Sequence, residues 1–264
     1  MVDKSEKFGW LVRLGFAARG LVYLLIGFLA LTVNRGANGP EGAFELVQEA
    51  PLGAPLLYLA ALGLIGYALF RVCSLLFDIE NHGTSGKGVA HRIGHGASGV
   101  AHLALAWAAF QFAQGTKRSA SEAGAQEAAG TLLSFPFGSL ALGVIGLGFV
   151  AAAVVQAKSA WTADFMTRMA ANAPAASEPL GRAGYAARAV VFLIIGWSLV
   201  RSAWFNSTGE VKSLGQAVGS LSDSGTLYTA VAAGLMLFGV FGMLLARYRI
   251  VPDLDRSDFR PTLH

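Results

Sequence analysis

Long stretches without a charged residue limit what this chain can fold into more than any other feature of its sequence. Four segments contain no Asp, Glu, Lys or Arg: residues 50–70, 93–116, 128–157 and 224–246. An α-helix rises about 1.5 Å per residue, so about 20 apolar residues cross the hydrocarbon core of a bilayer, which is about 30 Å thick. Each of the four segments is therefore predicted to be a transmembrane helix.

Two further apolar segments complete the set of predicted spans. Residues 14–34 contain one charged residue, Arg19, and residues 183–209 contain Arg188 and Arg201. All three arginines lie toward a segment end, where a long side chain can extend to the lipid headgroups. The sequence thus predicts six transmembrane helices, an even number that returns the chain to its starting side.

Composition agrees with a membrane protein. Apolar residues make up 54% of the 264 residues and charged residues 14%, against roughly 25% charged residues in ordinary soluble domains. The formal net charge is +4, but the basic residues follow the predicted membrane sides and form no stripe, so nucleic acid is not expected as a partner. Cys73 is the one cysteine, which excludes an intramolecular disulfide and a cysteine-based metal site.

Glycine is abundant, with 33 residues, and small residues let membrane helices approach closely. The glycines of the predicted spans are therefore expected at helix contacts. They are Gly20, Gly27, Gly63, Gly66, Gly143, Gly146, Gly234 and Gly239.

Lysine and arginine are divided unequally between the two membrane sides. The termini and the loops after the second and fourth spans contain Lys4, Lys7, Arg13, Arg19, Arg71, Lys87, Arg92, Lys158, Arg168, Arg182, Arg188, Arg247, Arg249, Arg256 and Arg260. The opposite side contains Arg35, Lys117, Arg118, Arg201 and Lys212. Because cytoplasmic loops are the richer in lysine and arginine, both termini are predicted to be cytoplasmic.

The sequence of the first predicted span returns later in the chain. Residues 13–27 read Arg-Leu-Gly-Phe-Ala-Ala-Arg-Gly-Leu-Val-Tyr-Leu-Leu-Ile-Gly, and residues 182–196 read Arg-Ala-Gly-Tyr-Ala-Ala-Arg-Ala-Val-Val-Phe-Leu-Ile-Ile-Gly. A middle copy starts at Arg92 but has Ser98 where the outer copies have an arginine. We therefore predict a single membrane domain of three repeats. The repeats are residues 8–81, 88–168 and 178–250, and a cytoplasmic tail follows, residues 251–264.

Each repeat also has a shorter segment between its two spans. In the first repeat, Phe44, Leu46 and Val47 have helical spacing, which predicts a brief interfacial helix on the outer face. A two-helix unit returns to its starting side, so successive units are parallel and a pseudo-threefold axis along the membrane normal relates them. The predicted fold is an all-α membrane protein with six transmembrane helices in three tandem parallel two-helix repeats, pseudo-threefold symmetry and short outer interfacial helices.

Three motifs carry a resemblance to a known family. They are the Arg-x-Gly-x-x-Ala-Arg helix start, the Gln-Glu-Ala-Pro-Leu-Gly of residues 48–53 and the Phe-Pro-Phe-Gly of residues 135–138. On these motifs, the chain resembles the bacterial three-repeat membrane family called domain of unknown function 1206. The resemblance covers roughly residues 8–250. The resemblance implies six spans in the bacterial inner membrane and brings no activity with it. Ser98 and two histidines of the middle repeat depart from the pattern of the outer repeats.

Arg19 and Arg188 are candidate ligand-binding residues, with Ser98 at the equivalent position of the middle repeat. Two guanidinium groups near a symmetry axis could hold an anionic small molecule or a lipid phosphate, since the planar fork of arginine binds oxygen atoms in pairs. The alternative is that each arginine anchors its helix at the headgroups. A cavity shared by the three residues would favour binding.

His91, His95 and His102 lie on one face of the third predicted long helix and are a candidate metal or haem face. One face of one helix cannot supply both axial ligands of a haem, and no other predicted span contains a histidine or a carboxylate. The alternative is that these imidazoles form hydrogen bonds to neighbouring helices or headgroups. No cofactor is predicted.

Three functions follow as hypotheses. The leading one is an inner-membrane protein that binds or transports a small molecule, ion or lipid near the pseudo-threefold axis. The second is a structural or assembly scaffold for partner subunits, and the third is a membrane redox protein with a His-ligated cofactor. The chain is not expected to be an enzyme, because no span or loop pairs a nucleophile with a base and an orienting acid. The lipid bilayer is the expected partner, and the sequence favours no oligomeric state.

Overall fold

The computed structural model describes residues 4–32, 39–80, 82–116 and 123–251, and these residues are mostly helical. In chain order the α-helices are α1 (Lys4–Thr32), α2 (Gly39–Glu49), α3 (Gly53–Phe77), α4 (Gly86–Ala113), α5 (Ala123–Leu133), α6 (Gly138–Thr162), α7 (Ser177–Phe205), α8 (Leu214–Gly219) and α9 (Gly225–Tyr248). The short helices α2, α5 and α8 each lie between the two long helices of one predicted repeat. The predicted tail lies outside the described residues apart from Val251.

Among the described residues, five helices are long and apolar enough to cross a membrane. They are Gly9–Thr32, Gly53–Phe77, Gly138–Thr162, Ser177–Phe205 and Ser222–Tyr248. The chain is thus a multi-pass membrane protein. The helix α4 covers the third predicted span but is less apolar, because His95 and His102 interrupt its hydrophobic run. The sixth span therefore stays a prediction.

The long helices pack in the order α6, α7, α9, α1, α3, α4. Contacts between the long helices of different repeats have one form, in which the first helix of a repeat packs on the second helix of another: α1 on α9, α4 on α3 and α7 on α6. Within the outer repeats, α1 packs on α3 and α7 packs on α9. No comparable contact joins α4 to α6 in the described residues. The predicted pseudo-threefold symmetry is not confirmed, because the middle repeat lacks this contact.

The arginine that starts each repeat caps the helix beside it. The last carbonyl groups of an α-helix have no partner within the helix, and a cation at this end also interacts favourably with the helix dipole. The side chain of Arg13 donates to Ala246 O and Arg247 O at the end of α9. The side chain of Arg92 donates to Leu75 O and Leu76 O at the end of α3. In the same way, the side chain of Arg182 donates to Ala160 O and Trp161 O at the end of α6. The three contacts lie at the same end of the helices, the end predicted to be basic.

Glycine packing confirms most of the predicted close contacts. A Cβ atom on Gly20 of α1 would lie 2.8 Å from the carbonyl oxygen of Gly239 on α9, and one on Gly27 would lie 2.5 Å from the nitrogen of Met236. Seven of the eight predicted glycines contact a neighbouring helix in this way; the exception is Gly143, whose Cβ would have an ordinary contact of 3.5 Å with Ala203. The backbones of α1 and α9 therefore approach closely enough that no side chain fits between them.

A strained turn precedes both α3 and α6. Leu52 has φ of 63° and Phe137 has φ of 65°, a left-handed conformation that is rare for bulky residues. A Cβ on the following residue, Gly53 or Gly138, would overlap a carbonyl oxygen of the preceding short helix. Only glycine fits there, which explains why both motifs end in it.

Candidate functional site

Arg19 of α1 is buried among aromatic rings, with 6% of its surface exposed. Its guanidinium carbon lies 4.9 Å from the ring centre of Tyr67 and 5.0 Å from that of Phe238. Its Nη1 donates to the hydroxyl oxygen of Tyr67 at 2.5 Å. The small neighbours Ala18 and Gly20 let α3 and α9 come close enough to enclose this side chain. Arg19 is therefore not a headgroup anchor on the outside of the helices.

Arg188 of α7 lies on the same aromatic ring as Arg19. Its guanidinium carbon is 4.6 Å from the ring centre of Phe238, 4.8 Å from that of Phe192 and 5.4 Å from that of Tyr23. With its amide oxygen turned toward this guanidinium, Gln156 accepts from Nη1 at 2.9 Å and from Nη2 at 3.0 Å. The two arginines that the repeat makes equivalent thus share Phe238, and we call Arg19, Tyr67, Arg188 and Phe238 the central arginine site.

The central arginine site has positive charge without a carboxylate. Among the described residues, neither guanidinium forms an ion pair. The Nε atoms of Arg19 and Arg188 are both buried and have no hydrogen-bond partner in the part of the chain that the structure describes. A buried N–H group that has lost water without gaining an acceptor costs free energy, and a guanidinium costs more than a neutral group. The site therefore has unsatisfied donors as well as uncompensated charge.

Ser98, the third predicted ligand residue, does not contact the two arginines directly. Its hydroxyl oxygen lies 3.5 Å from Nδ1 of His102, and its carbonyl oxygen accepts from the same Nδ1 at 2.7 Å. The His102 ring lies 4.5 Å from the ring of Tyr67, centre to centre. Among the described residues, Ser98 is therefore connected to the central arginine site through His102 and Tyr67.

A second polar group surrounds Glu80 in the loop after α3. We call Glu80, Arg71, His82, His95, Arg168 and Arg249 the Glu80 cluster. The Glu80 side chain is 4% exposed. Its carboxylate forms ion pairs with Arg249 and with Arg168, whose Nη1 lies 2.6 Å from Oε2. Arg71 Nη1 is 3.8 Å from Oε1.

Glu80 is held ionised. Burial alone would raise its pKa, but the hydrogen bond with His95 and the charges of the three arginines outweigh this effect, so the pKa of Glu80 lies well below its usual range. The loop presents Glu80 inward because Asp78, in a left-handed conformation at the end of α3, accepts from the backbone N–H groups of His82 and Gly83. The carboxylate thereby joins the end of α3 to the residues around Arg168 and Arg249.

Three metal-ligand atoms meet within the Glu80 cluster. Nε2 of His82 lies 3.1 Å from Nε2 of His95, and these atoms lie 3.4 Å and 3.1 Å from Oε2 of Glu80. The three histidines of the predicted metal or haem face therefore lie in different surroundings. Of these, His95 belongs to this group, and His91 stacks on His82 with ring centres 4.8 Å apart. The third, His102, contacts Tyr67. Sequence reasoning missed Glu80 and His82, which lie in a loop; the Glu-x-His pattern before a histidine-bearing helix is the signal that could have found them.

Arg71 connects the two polar groups. Its Nη1 lies 2.7 Å from Nδ1 of His95, while Nε and Nη2 donate to the Tyr67 hydroxyl at 2.9 Å and 2.7 Å. Tyr67 also accepts from Arg19. A continuous set of hydrogen bonds therefore runs from Glu80 into the interior of the helices.

An apolar groove lies elsewhere, on the surface of α6 and α7. Its volume is about 390 Å³ and its lining includes Leu140, Val144, Leu147 and Trp204. None of its lining residues belongs to the central arginine site or the Glu80 cluster.

Comparisons with known proteins agree with the repeat. The family described as Domain of Unknown Function (DUF1206) matches residues 14–74, 93–163 and 183–249, and each segment begins one residue after a leading arginine. "Uncharacterized protein YxxB" of Bacillus subtilis (strain 168) is 31% identical over 260 residues, covering 93% of this chain and 94% of that protein. No solved structure matches the chain.

Proposed function

Because this chain belongs to the DUF1206 family, whose description carries no activity, we propose from its own residues that it binds an anionic small molecule or lipid headgroup at the central arginine site. The observation that carries the proposal is the pair of guanidinium groups, Arg19 and Arg188, over the single ring of Phe238, each with a buried Nε–H that lacks an acceptor.

Electrostatics favours an anion at this place. A cation in the apolar interior of a membrane protein is costly unless it is paired, and two cations near one ring also repel each other. Aromatic rings offset part of the cost, at about 2 kcal/mol for a desolvated contact. An anion would neutralise the remaining charge and accept from the free Nε–H groups. A cation would do neither, and a neutral acceptor would leave the charge in place.

The chemistry of the donors points to an oxyanion. A guanidinium presents its N–H groups in a plane, which matches the paired oxygen atoms of phosphate or carboxylate. Both a lipid phosphate and a free phosphate or carboxylate have this chemistry. The proposed role is binding, with or without transport, and includes no catalytic step.

Two binding measurements on the purified protein test the proposal and separate the two sources of oxyanion. Native mass spectrometry from phosphatidylcholine nanodiscs doped with phosphatidylglycerol reports retained headgroups, and equilibrium dialysis with labelled inorganic phosphate reports the free anion. The unmodified protein is expected to bind phosphatidylglycerol, phosphate or both. We expect Arg19→Gln and Arg188→Gln to weaken that binding by about tenfold or more, since a charge-assisted hydrogen bond contributes about 1.5–3 kcal/mol.

Arg201→Gln is the matched control. Arg201 also lies on α7, but its side chain is 45% exposed and pairs with Glu210 at 3.0 Å. This variant has the same change of charge outside the site and should bind like the unmodified protein. Absence of both phosphatidylglycerol and phosphate binding, or equal losses in all three variants, would contradict the proposal.

A scaffold for partner subunits is the second candidate, and the surfaces of α4 and α6 favour it. Ile93 and Val100 on α4 are 62% and 67% exposed, and Val144 and Leu147 on α6 are each 61% exposed. A partner subunit there would protect a cysteine at position 144 from a lipid-soluble maleimide in native membranes but not after purification. Equal labelling in both preparations would leave lipid as the only neighbour of this surface.

We further propose that the protein lies in the bacterial inner membrane with six spans and both termini in the cytoplasm. The excess of lysine and arginine at one end supports this orientation. The capping contacts of Arg13, Arg92 and Arg182 at that same end support a common direction for the three repeats.

A further inference from the structure

We propose that Glu80, His82 and His95 bind a divalent transition-metal ion at the basic end of the helices. The three residues come from two places in the chain, the loop after α3 and the third turn of α4. This site is separate from the central arginine site, so either proposal can fail without the other.

The spacing of the three atoms fits a metal ion. Zinc binds histidine nitrogen and carboxylate oxygen at about 2.0–2.2 Å, so neighbouring ligands of a tetrahedral site lie about 3.3–3.5 Å apart. The three separations are 3.1, 3.1 and 3.4 Å. The loop and the helix thus bring three ligand atoms together at nearly the distances that one ion requires.

The donor set indicates the class of metal. Two imidazoles and one carboxylate, with a further position for water, bind zinc in many enzymes and iron(II) in non-haem proteins. Access is available because the side chains of His82 and His95 are 16% and 14% exposed at this end of the helices. Solvent can therefore supply a water molecule as the fourth ligand.

Two arginines compete with the metal. Arg168 occupies Oε2 of Glu80, and Arg71 lies 2.7 Å from Nδ1 of His95. Since Arg71 donates to Nδ1, the proton of a neutral His95 is on Nε2 in the metal-free protein. Coordination of a metal through Nε2 of His95 requires that proton to move to Nδ1, and Nη1 of Arg71 must then withdraw from Nδ1. Arg71 would still be held by Tyr67, because its Nε and Nη2 donate to the Tyr67 hydroxyl. Metal binding would thereby change the hydrogen bonds that lead to Arg19.

The test uses full-length protein without a polyhistidine tag, treated with a chelator and dialysed. Competition with a chromophoric chelator measures Zn²⁺ affinity, and the visible spectrum of bound Co²⁺ reports a four-coordinate site. We expect one ion per chain, and a loss of at least tenfold in affinity in His82→Gln and His95→Gln. Arg168→Gln should tighten binding about tenfold, because it removes both a positive charge and a competitor for the carboxylate.

His91→Gln is the matched control, because His91 lies on the same helix as His95 and stacks on His82 but is outside the ligand set. It should retain the affinity of the unmodified protein. His82→Gln keeps the ion pairs of Glu80 with the arginines, so it remains informative if variants of Glu80 fail to fold. The proposal is overturned if the unmodified protein binds no Zn²⁺, or if His82→Gln and His91→Gln bind equally well.

Discussion

Arg71 donates two hydrogen bonds to the hydroxyl of Tyr67, one helical turn earlier on α3, at 2.9 Å and 2.7 Å. The same hydroxyl accepts a third hydrogen bond, from Arg19 at 2.5 Å. One phenolic oxygen therefore holds two arginines of different helices in place. It is the point at which the central arginine site and the Glu80 cluster meet.

The first prediction concerns this oxygen. Tyr67→Phe leaves Arg19 without its hydrogen-bond acceptor and should lower the free energy of unfolding in detergent by about 2 kcal/mol, the scale of hydrogen bonds to charged groups. Tyr58→Phe is the control, since Tyr58 is 44% exposed on the same helix. Equal stability of the two variants would show that the Tyr67 hydroxyl contributes little.

The second prediction concerns the contact between α1 and α9. Gly239→Ala places a methyl group 2.6 Å from the carbonyl oxygen of Gly20, so the helices must separate. The expected cost is about 2 kcal/mol or more, as for other overpacked interiors. Gly148→Ala has no atom within 4 Å of the new methyl group and should be neutral or slightly stabilising. A neutral Gly239→Ala would mean that α1 and α9 can move apart freely.

The third prediction concerns pH. The pKa of Glu80 is lowered in the folded protein, so its ionised form stabilises the fold at pH values above the carboxyl pKa of the unfolded chain, about 4.3. That stabilisation is lost as the pH falls through the lower, folded pKa. Unfolding measured between pH 7 and pH 3 should therefore show a fall in stability below about pH 4 to 5.

Glu80→Gln provides the comparison for the pH measurement. This variant should be less stable at pH 7 and should lose part of the acid dependence. Glu178→Gln, which changes an exposed carboxylate paired with Arg182, should keep the acid dependence of the unmodified protein. Identical pH profiles for Glu80→Gln and Glu178→Gln would count against the Glu80 cluster as its source.

The fourth prediction concerns the leading arginines. Arg92→Met removes the donors that satisfy Leu75 O and Leu76 O and should destabilise the protein by about 1 kcal/mol, the usual size of a charge at a helix C-terminus. Lys87→Met removes a charge from the exposed first turn of α4 and should have a smaller effect. The free energies of unfolding of the two variants are measured side by side. Equal values would contradict the proposal that Arg92 stabilises the end of α3.

The fifth prediction concerns the sixth span. In a Cys73→Ser background, Thr84→Cys and Thr116→Cys place single thiols before and after α4. If α4 crosses the membrane, a membrane-impermeant maleimide added to spheroplasts should label position 116 and not position 84. Labelling at both positions or at neither would place them on one side and remove this span.

The repeat made part of the central arginine site predictable. Arg19 and Arg188 occupy equivalent positions in the sequence, and a repeated helix places equivalent side chains in similar surroundings. The same logic extended to Ser98 predicted a third member of the site, but Ser98 contacts His102 instead. A spacing in sequence does not reveal which helix packs beside the middle repeat, and α4 packs on α3.

The Glu80 cluster could not be predicted in the same way. Its members come from α3 and the loop after it, from α4, from Arg168 after α6 and from Arg249 after α9, so only the tertiary fold brings them together. Conversely, five of the six predicted spans were evident without the fold, because the length and composition of each one are local properties of the sequence. Local signals thus identified helices, and contacts between distant segments decided the sites.

The order in which the helices pack has a consequence for synthesis. The helix α1 is made long before α9, yet the two lie side by side, and both Phe238 and Gly239 belong to α9. Membrane helices insert individually and associate afterwards. The guanidinium of Arg19 therefore lacks the ring of Phe238 throughout the translation of the intervening spans, and the contact between α1 and α9 can form only when the final helix has been inserted.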